Sequence, residues 1–256
     1  MSLDKRKKLS QKDKGNLVFV AGPRFGGKTT ALGTLPGKTL LLEISSKESG
    51  SLGAVNMARK LDNQLDVVET VDCDDVETLV EAAIKQGYNN IAIDGLSALS
   101  VVEQEKPKVK AMLNSKGNAV FEGWRIMGTR LTDMLQHLKD TARSNQVNVV
   151  LTVALYEKAD KEDVMHTHLE LKGNMAEGFI KGMCPYFVVS RQARNADGKL
   201  VRVIQTYDDG MFNARLDGVF DDDNPKFFKA DPAKAEPGEA IGLAAVVNFI
   251  NKTKGA

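Results

Sequence analysis

Short apolar runs alternate with segments of helical periodicity along most of this chain. The longest helical pattern covers residues 121–145. Its apolar side chains form one stripe: Trp124, Met127, Leu131, Met134, Leu135 and Leu138. Five runs have the length and residue types of strands: residues 17–21, 39–44, 66–71, 90–94 and 147–154. Strands that alternate with helices predict an α/β fold, with a mainly parallel central sheet flanked by helices.

The segments between these elements add a helix, a hairpin and two polar stretches. A helix is predicted over residues 76–84, with Asp74 or Asp75 as its N-cap. Residues 101–118 are charged and without a clear period, and residues 156–172 are polar. Near the end of the chain, two apolar runs flank the sequence Asn-Ala-Asp-Gly, which is typical of a β-hairpin turn. We therefore expect a C-terminal hairpin at one edge of the sheet.

Composition and charge divide the chain into three predicted parts. Residues 1–15 form a basic flexible arm, residues 16–220 form the core, and residues 221–256 form an acidic linker followed by a closing helix. The chain has 256 residues, of which 42% are hydrophobic and 27% are charged. This length and composition suit one α/β domain with a small addition.

Several classes of protein are disfavoured by composition. No run approaches the ~20 apolar residues that span a bilayer, so no membrane segment is expected. The charged N-terminus lacks the apolar stretch of a secretory signal. Cys73 and Cys184 have no metal-ligand spacing, which predicts reduced thiols in a cytoplasmic protein. With a net charge of +1, any polyanionic partner would need a local basic patch.

The segment after the first strand carries the strongest chemical signal. It has the complete form G-x-x-x-x-G-K-[ST], between an apolar run and a helical stretch. Glycine turns aim backbone N–H groups at a phosphate, and the following helix adds its positive end. Lys28 is expected to reach the β- and γ-phosphates, and Thr29 to complete the Mg²⁺ shell. We therefore expect ATP and Mg²⁺ as cofactors. The predicted nucleotide-binding residues of this loop are Gly22, Pro23, Arg24, Phe25, Gly26, Gly27, Lys28, Thr29 and Thr30.

A carboxylate ends the fourth predicted strand. Asp94 occupies the position that holds the Mg²⁺ water shell in such NTPases, so Thr29 and Asp94 are the predicted metal residues. Asp94 is followed by Gly95, not by glutamate. ATPases that place the water-activating glutamate directly after this aspartate are therefore a poor match.

These two motifs resemble those of the RecA superfamily. The matching residues are Gly22-Pro23, Gly27-Lys28-Thr29-Thr30 and Ile93-Asp94-Gly95-Leu96-Ser97-Ala98-Leu99. The likeness is closest to small phage-encoded RecA-like ATPases, which include proposed single-strand annealing and recombination proteins, and it covers about residues 15–220. It implies a RecA-like P-loop NTPase fold in which the phosphate-loop strand neighbours the Asp94 strand. ATP would then lie at the C-terminal ends of these strands.

The resemblance also implies catalytic residues. RecA-like proteins take their hydrolytic glutamate from the loop after the second strand, where this chain offers Glu43 or Glu48. Glu43 is preferred because it stands at the strand end. Thr152 on the fifth strand is a candidate sensor of the γ-phosphate. Arg215, after the second hairpin strand, matches the cation that a neighbouring subunit supplies, so a homo-oligomer is expected.

Single-stranded DNA is the partner that the resemblance implies. The two DNA-binding loops of RecA-like proteins correspond to residues 101–118 and 156–172, which carry lysines that could neutralise phosphates. Acidic residues in both segments reduce that positive charge, and only Tyr156 offers a surface on which a base could stack. The alternative interpretation, that both segments are solvated loops without a DNA contact, therefore stays open. The expected function is an ATPase acting on single-stranded DNA in phage recombination, replication or repair, in the host cytoplasm. The alternative is a nucleotide-gated binding or assembly module with little turnover.

Overall fold

The protein is described by a computed structural model that covers residues 15–44, 50–112, 121–163, 165–172, 178, 180, 182, 184–212, 214–217, 225–231 and 239–254. The described strands are β1 (Asn16–Gly22), β2 (Lys38–Ile44), β3 (Gln64–Thr70), β4 (Asn90–Asp94), β5 (Asn148–Ala159), β6 (Met165–Leu169), β7 (Tyr186–Arg194), β8 (Leu200–Gln205), β9 (Arg215–Leu216) and β10 (Phe227–Lys229). The described helices with assigned bounds are α1 (Lys28–Leu32), α2 (Leu52–Lys60), α3 (Cys73–Lys85), α4 (Leu96–Glu105), α5 (Pro107–Lys110), α6 (Phe121–Asn145) and α7 (Gly242–Thr253).

The described strands build a single sheet in the order β10-β8-β7-β1-β5-β4-β2-β3, with β6 paired to β5 and β9 paired to β7. Five adjacent pairs, from β7–β1 to β2–β3, are parallel, whereas β7–β8 and β8–β10 are antiparallel. The predicted α/β fold, with its mainly parallel sheet and C-terminal hairpin, is confirmed. The expectation that β1 neighbours β4 is wrong. Both edges of β1 are paired, one with β5 and the other with β7, so β5 lies between the phosphate-loop strand and the Asp94 strand.

Helical layers cover both faces of the sheet. Leu17, Phe19 and Ala21 of β1 pack in one cluster with α3, α4 and α6, whereas Val18 and Val20 pack in another with α1, α2 and α7. The predicted stripe of α6 is largely buried: Met127, Leu131, Met134, Leu135 and Leu138 lie in the first cluster, with Trp124 partly buried against it. Burial on both faces explains why β1, β2, β4 and the first part of β5 appear in the sequence as largely apolar runs, whereas the edge strand β3 is mostly exposed.

The segment after β4 is helical rather than irregular, so the expectation for residues 101–118 is wrong over the part that α4 and α5 cover. Lys106 separates the two helices because it precedes Pro107 and adopts an extended backbone, with ψ at 144°. Buried Glu103 accepts a hydrogen bond from the Cys73 backbone N–H at 3.0 Å. A carboxylate therefore occupies a position where helical periodicity expects an apolar residue. Residues 113–118 lie outside the described residues.

Acidic residues at the start of α3 hold Lys106 in place. The N-cap is Asp72, not the predicted Asp74 or Asp75, and its carboxylate accepts from the Asp75 N–H at 2.9 Å. Lys106 forms ion pairs with Asp72, Asp74 and Glu103 at 3.0–3.3 Å. Desolvation lowers the pKa of Lys106, but hydrogen bonds to these three carboxylates outweigh it, so the pKa lies above its usual range. Lys106 therefore ties α4 to α3.

The polar stretch over residues 156–172 contains strand structure that its sequence did not predict. β5 continues to Ala159 and pairs with antiparallel β6, from Leu155 opposite Leu169 to Ala159 opposite Met165. This hairpin extends beyond the C-terminal end of β1, which stops opposite Ala154. The apolar pattern ends there because most of the hairpin side chains are solvent-exposed.

The C-terminal part of the chain packs on the same sheet. β10 pairs with β8, and α7 belongs to the cluster that contains Val18 and Val20. The predicted boundary between residues 220 and 221 stays a prediction, and residues 1–14 of the predicted arm lie outside the described part. No helix within the described ranges is long and apolar enough to cross a membrane.

A ladder of asparagines crosses the N-terminal edge of the sheet. Asn16 donates to Asn148 at 2.8 Å, and Asn148 donates to Asn90 at 2.8 Å. Asn90 in turn donates to the Thr39 hydroxyl at 3.2 Å, and Asn16 also donates to Asn251 of α7 at 3.0 Å. The ladder therefore joins β1, β5, β4 and β2 to the closing helix through side-chain amides.

Replacing Asn90 by alanine is expected to lower the free energy of unfolding by about 1–3 kcal/mol, because the amide of Asn148 and the hydroxyl of Thr39 lose a buried partner. Urea unfolding would measure the loss. Asn145→Ala, at an exposed position of α6, is the matched control and should change the free energy by less than about 0.5 kcal/mol. Equal values for the two variants would show that the ladder contributes nothing to stability.

Candidate functional site

The phosphate loop joins the end of β1 to the start of α1. Gly27 is the residue before α1 and has a positive φ of 87°, which glycine adopts without steric cost. A Cβ on Gly26 would lie 2.7 Å from the carbonyl oxygen of Ser190, so glycine is required by this close approach of β7. These local demands explain why glycine stands at positions 26 and 27.

Ser190 of β7 braces the loop, and the sequence analysis did not identify it. Its hydroxyl is buried and donates to the Gly26 carbonyl at 2.9 Å. The feature of the sequence that could have indicated Ser190 is that one hydroxyl residue ends the apolar, buried half of β7. Its partner, the Gly26 carbonyl, could not be inferred, because the contact requires β7 to lie beside β1 and the order of the strands cannot be deduced from the sequence.

Lys28 lies across the loop. Its Nζ donates to the carbonyl oxygens of Gly22 and Pro23, each at 3.0 Å. These two bonds hold the ammonium group at the mouth of the loop, close to the backbone N–H groups that would cradle a phosphate. The predicted contact with the β- and γ-phosphates agrees with this placement and stays a prediction.

Two threonines converge on one buried carboxylate. Thr29 Oγ1 donates to Asp94 Oδ2 at 2.6 Å, and Thr152 Oγ1 donates to Asp94 Oδ1. Asp94 is only 4% exposed, at the end of β4, and is joined to Gly95 by a cis peptide bond. The two predicted metal residues are therefore adjacent. Thr152 orients Asp94 in this structure, and its predicted contact with a γ-phosphate is untested.

The oxygen atoms of this cluster are suited to Mg²⁺. A threonine hydroxyl and a carboxylate are the hard oxygen donors that Mg²⁺ prefers, and Mg²⁺ commonly keeps several waters and phosphate oxygens as its other ligands. Among the described residues, no group of three or more His, Cys, Asp or Glu side chains could hold a metal by itself. The site therefore fits a metal that is bound together with a nucleotide, through Thr29 and Asp94.

A cavity of about 670 Å³ opens beside the Thr29–Asp94 pair. This volume lies within the usual range for small-molecule sites. The cavity is bordered by the phosphate loop, the start of α4 and the β5–β6 hairpin. Among the residues lining it are Lys28, Thr29, Asp94, Ser97, Thr152 and Tyr156.

Glu43 stands at the predicted place, close to Asp94. It pairs with Asp94 in the register of β2 and β4. Its Oε1 accepts from the backbone N–H groups of Gly50 and Ser51, at 2.9 and 3.3 Å. The carboxylate therefore anchors the chain where it enters α2, next to the predicted metal residues. Glu48, the other predicted glutamate, lies outside the described residues.

The remaining predicted residues of the loop differ in exposure. Arg24 forms an exposed ion pair with Glu170 at 2.9 Å, and Phe25 is 95% exposed with a positive φ of 63°. The Thr30 hydroxyl lies against Gly53 of α2, since a Cβ on Gly53 would be 3.0 Å from it. Thr30 could therefore serve a phosphate through its backbone N–H rather than through its side chain.

Arg215 does not lie at the phosphate loop of its own chain. It pairs with Phe187 near the N-terminal end of β7, away from the phosphate loop at the C-terminal end of β1. Its guanidinium donates to the Cys184 carbonyl. It also approaches Asp217 at 3.6 Å, and its side chain is 43% exposed. Its predicted role toward a neighbouring subunit stays a prediction.

Changing Asp94 to asparagine is expected to reduce Mg²⁺-dependent turnover by about 10–100-fold, and nucleotide affinity by less, because the carboxylate acts on the metal through bound water. Asparagine preserves the shape and can still bond both threonines, so the fold should persist. Phosphate-release assays and nucleotide titrations would separate the two effects. Turnover equal to that of the unaltered chain would show that Asp94 only terminates β4.

Comparison with known proteins supports the nucleotide-binding interpretation. A family model described as an AAA domain matches residues 14–184, which include the phosphate loop, Asp94 and the β5–β6 hairpin. No curated protein matches the chain. The matched range covers β1 to β6 and ends before β7.

Proposed function

We propose that this chain, which belongs to the AAA domain family, is a Mg²⁺-dependent ATPase of the RecA-like type. AAA domains are P-loop NTPase-type domains, and such domains bind nucleotide, typically with Mg²⁺. The observation that carries the proposal is the Thr29–Asp94 hydrogen bond of 2.6 Å, which joins the end of the phosphate loop to the carboxylate of β4. Bound Mg²⁺ would be held by Thr29 and, through water, by Asp94, and would neutralise charge on the β- and γ-phosphates.

In this proposal, different residues of the chain have different roles in hydrolysis. Lys28 and the loop N–H groups would bind and orient the phosphates, while Thr152 keeps Asp94 in place. Glu43 would accept the proton of the attacking water, because its carboxylate is level with Asp94 at the end of the neighbouring strand.

Single-stranded DNA is the proposed partner, and the β5–β6 hairpin is its proposed binding surface. Tyr156 and His168 stack on this hairpin, with ring centroids 5.5 Å apart, which gives a larger aromatic surface than the sequence indicated. Lys158 is exposed beside them. In the other predicted loop, Lys106 is held by three carboxylates, which favours the hairpin.

The assembly and the biological setting are also proposals. The resemblance to phage RecA-like proteins supports a homo-oligomer in which Arg215 reaches the ATP of a neighbouring subunit, and the exposure of Arg215 is compatible with this. The same resemblance supports a role in phage recombination, replication or repair in the host cytoplasm. The free and buried thiols of Cys73 and Cys184 agree with a reducing compartment.

A nucleotide-gated assembly module with little turnover is the second candidate. The hydrogen bonds from Gly50 and Ser51 to Glu43 favour it, because they engage the carboxylate that hydrolysis would need as a base. In that case, ATP binding would regulate assembly or partner binding, without rapid hydrolysis.

Phosphate release measured with and without Mg²⁺ and single-stranded DNA tests the proposal. The ATPase predicts Mg²⁺-dependent turnover that single-stranded DNA increases. Lys158→Glu on the β5–β6 hairpin should remove that increase, whereas Lys199→Glu, at the exposed turn of the β7–β8 hairpin, should retain it. Nucleotide and DNA binding without turnover would favour the assembly module. No nucleotide binding would refute both candidates.

A further inference from the structure

Arg202 borders the phosphate loop on the side away from Asp94. A Cβ built on Gly27 would lie 3.4 Å from Cδ and 3.5 Å from Nε of Arg202. Gly27 immediately precedes Lys28, where α1 begins. The side chain of Arg202 therefore lies against the turn whose N–H groups would cradle a phosphate.

The sheet fixes the backbone of Arg202. In the register of β7 and β8, Arg202 lies opposite Gln192, two residues beyond the loop-bracing Ser190. On its other side, the Arg202 carbonyl accepts from the Ala230 N–H at 3.0 Å, just after β10. The guanidinium is thus carried by a strand that is held on both edges, which makes it suitable for positioning a ligand.

Arg202 also differs from the other arginines of the β7–β8 hairpin. Arg191 bonds to Gln205 and Asp209, and Arg194 bonds to the Gly198 carbonyl. Within the described ranges, the Arg202 side chain has no hydrogen bond or ion pair. A guanidinium without an acidic partner, next to a loop that binds phosphates, is suited to a phosphate oxygen.

The position of the strands indicates which phosphate Arg202 can reach. β5 and β4 lie on one side of β1, and β7 and β8 lie on the other. Thr29 and Asp94 occupy the first side, where the metal would join the β- and γ-phosphates. We propose that Arg202 binds the α-phosphate end of the nucleotide held by its own subunit. This inference rests on the proposed nucleotide-binding function, and it adds a binding residue that the loop motif does not contain.

Arg202→Ala is expected to weaken the binding of ADP and of a non-hydrolysable ATP analogue by the same factor, about tenfold, which is the scale of one charge-assisted hydrogen bond. The two losses should be equal because both nucleotides carry the α-phosphate. Arg202→Lys keeps the charge and should recover part of the affinity. Titration calorimetry with Mg²⁺ measures all of these values, and thermal unfolding checks that each variant is folded.

Arg194→Ala is the matched control, since Arg194 lies on the same hairpin but its guanidinium is bound to Gly198. It should bind both nucleotides as the unaltered chain does. Unchanged affinity of Arg202→Ala for both nucleotides would overturn the inference while leaving the proposed function intact. A loss confined to the triphosphate analogue would also overturn it, because Arg202 would then face the γ-phosphate. Failure of the unaltered chain to bind either nucleotide would refute the proposed function together with the inference.

Discussion

Alanine in place of Lys28 is expected to reduce the affinity for ATP by about 100-fold or more, because a charged contact with the phosphates is lost. The fold should persist, since the Lys28 ammonium group lies at the mouth of the loop, where it donates to the Gly22 and Pro23 carbonyls. Titration calorimetry with Mg²⁺ and ATP would measure the loss, and circular dichroism would check the fold.

Lys60→Ala is the matched control for this variant, because Lys60 is exposed on α2 and belongs to no predicted contact with nucleotide. It should bind ATP with unchanged affinity. If Lys28→Ala also retained full affinity, the loop would not be the site of triphosphate binding.

Glutamine in place of Glu43 is expected to leave ATP binding unchanged and to reduce turnover by about 100-fold or more, the scale of a lost general base. The structure makes this substitution informative. A glutamine oxygen can still accept the hydrogen bonds from Gly50 and Ser51, so the anchoring of the segment before α2 would be preserved. Only the negative charge and the basicity of the carboxylate would be removed. Single-turnover phosphate release would measure the effect.

Glu48→Gln provides the comparison. If it abolishes turnover while Glu43→Gln does not, the register of the catalytic loop is shifted and Glu48 is the base. If neither variant changes the rate of phosphate release, neither glutamate acts as the base. The chain is then better described as the nucleotide-gated assembly module with little turnover. A lower free energy of unfolding with normal turnover per folded molecule would assign Glu43 to structure alone.

Elements that are buried on both sides could be predicted from the sequence. The runs that became β1, β2, β4 and most of β5 are largely apolar, without alternation of polar and apolar residues, because helices cover both faces of the sheet. The 25 residues of α6 were predicted with their observed bounds, since one stripe faces the core and the other positions face solvent. Local periodicity is enough for such elements.

The errors arose where tertiary contacts override the local pattern. Glu103 is charged but buried, and its bonds to Cys73 and Lys106 are formed with residues that the sequence cannot place beside it. The end of β5 is polar because its backbone pairs with β6 while its side chains are exposed to solvent. Hairpin pairing and ion pairs of this kind leave little trace in hydrophobic periodicity.

The candidate site divides in the same way. Lys28 and Thr29 could be identified because a local backbone motif positions them, and Asp94 because it ends an apolar strand. The contact of Thr152 with Asp94 joins residues 58 positions apart, and it depends on β5 lying beside β4. The resemblance suggested a different order of strands, so this contact could not be predicted.

The asparagine ladder also lies at a fixed distance, along the strands, from the Asp94 and Thr152 side chains. Asp94 lies four residues after Asn90, and Thr152 lies four residues after Asn148, in strands where the two asparagines are paired. A strand advances about 3.3 Å per residue, so both side chains stand about 13 Å from the ladder. An even count also keeps them on the same face of the sheet. Deletion of one residue from either strand would turn one of them to the opposite face, so this interval should not tolerate a change in its number of residues.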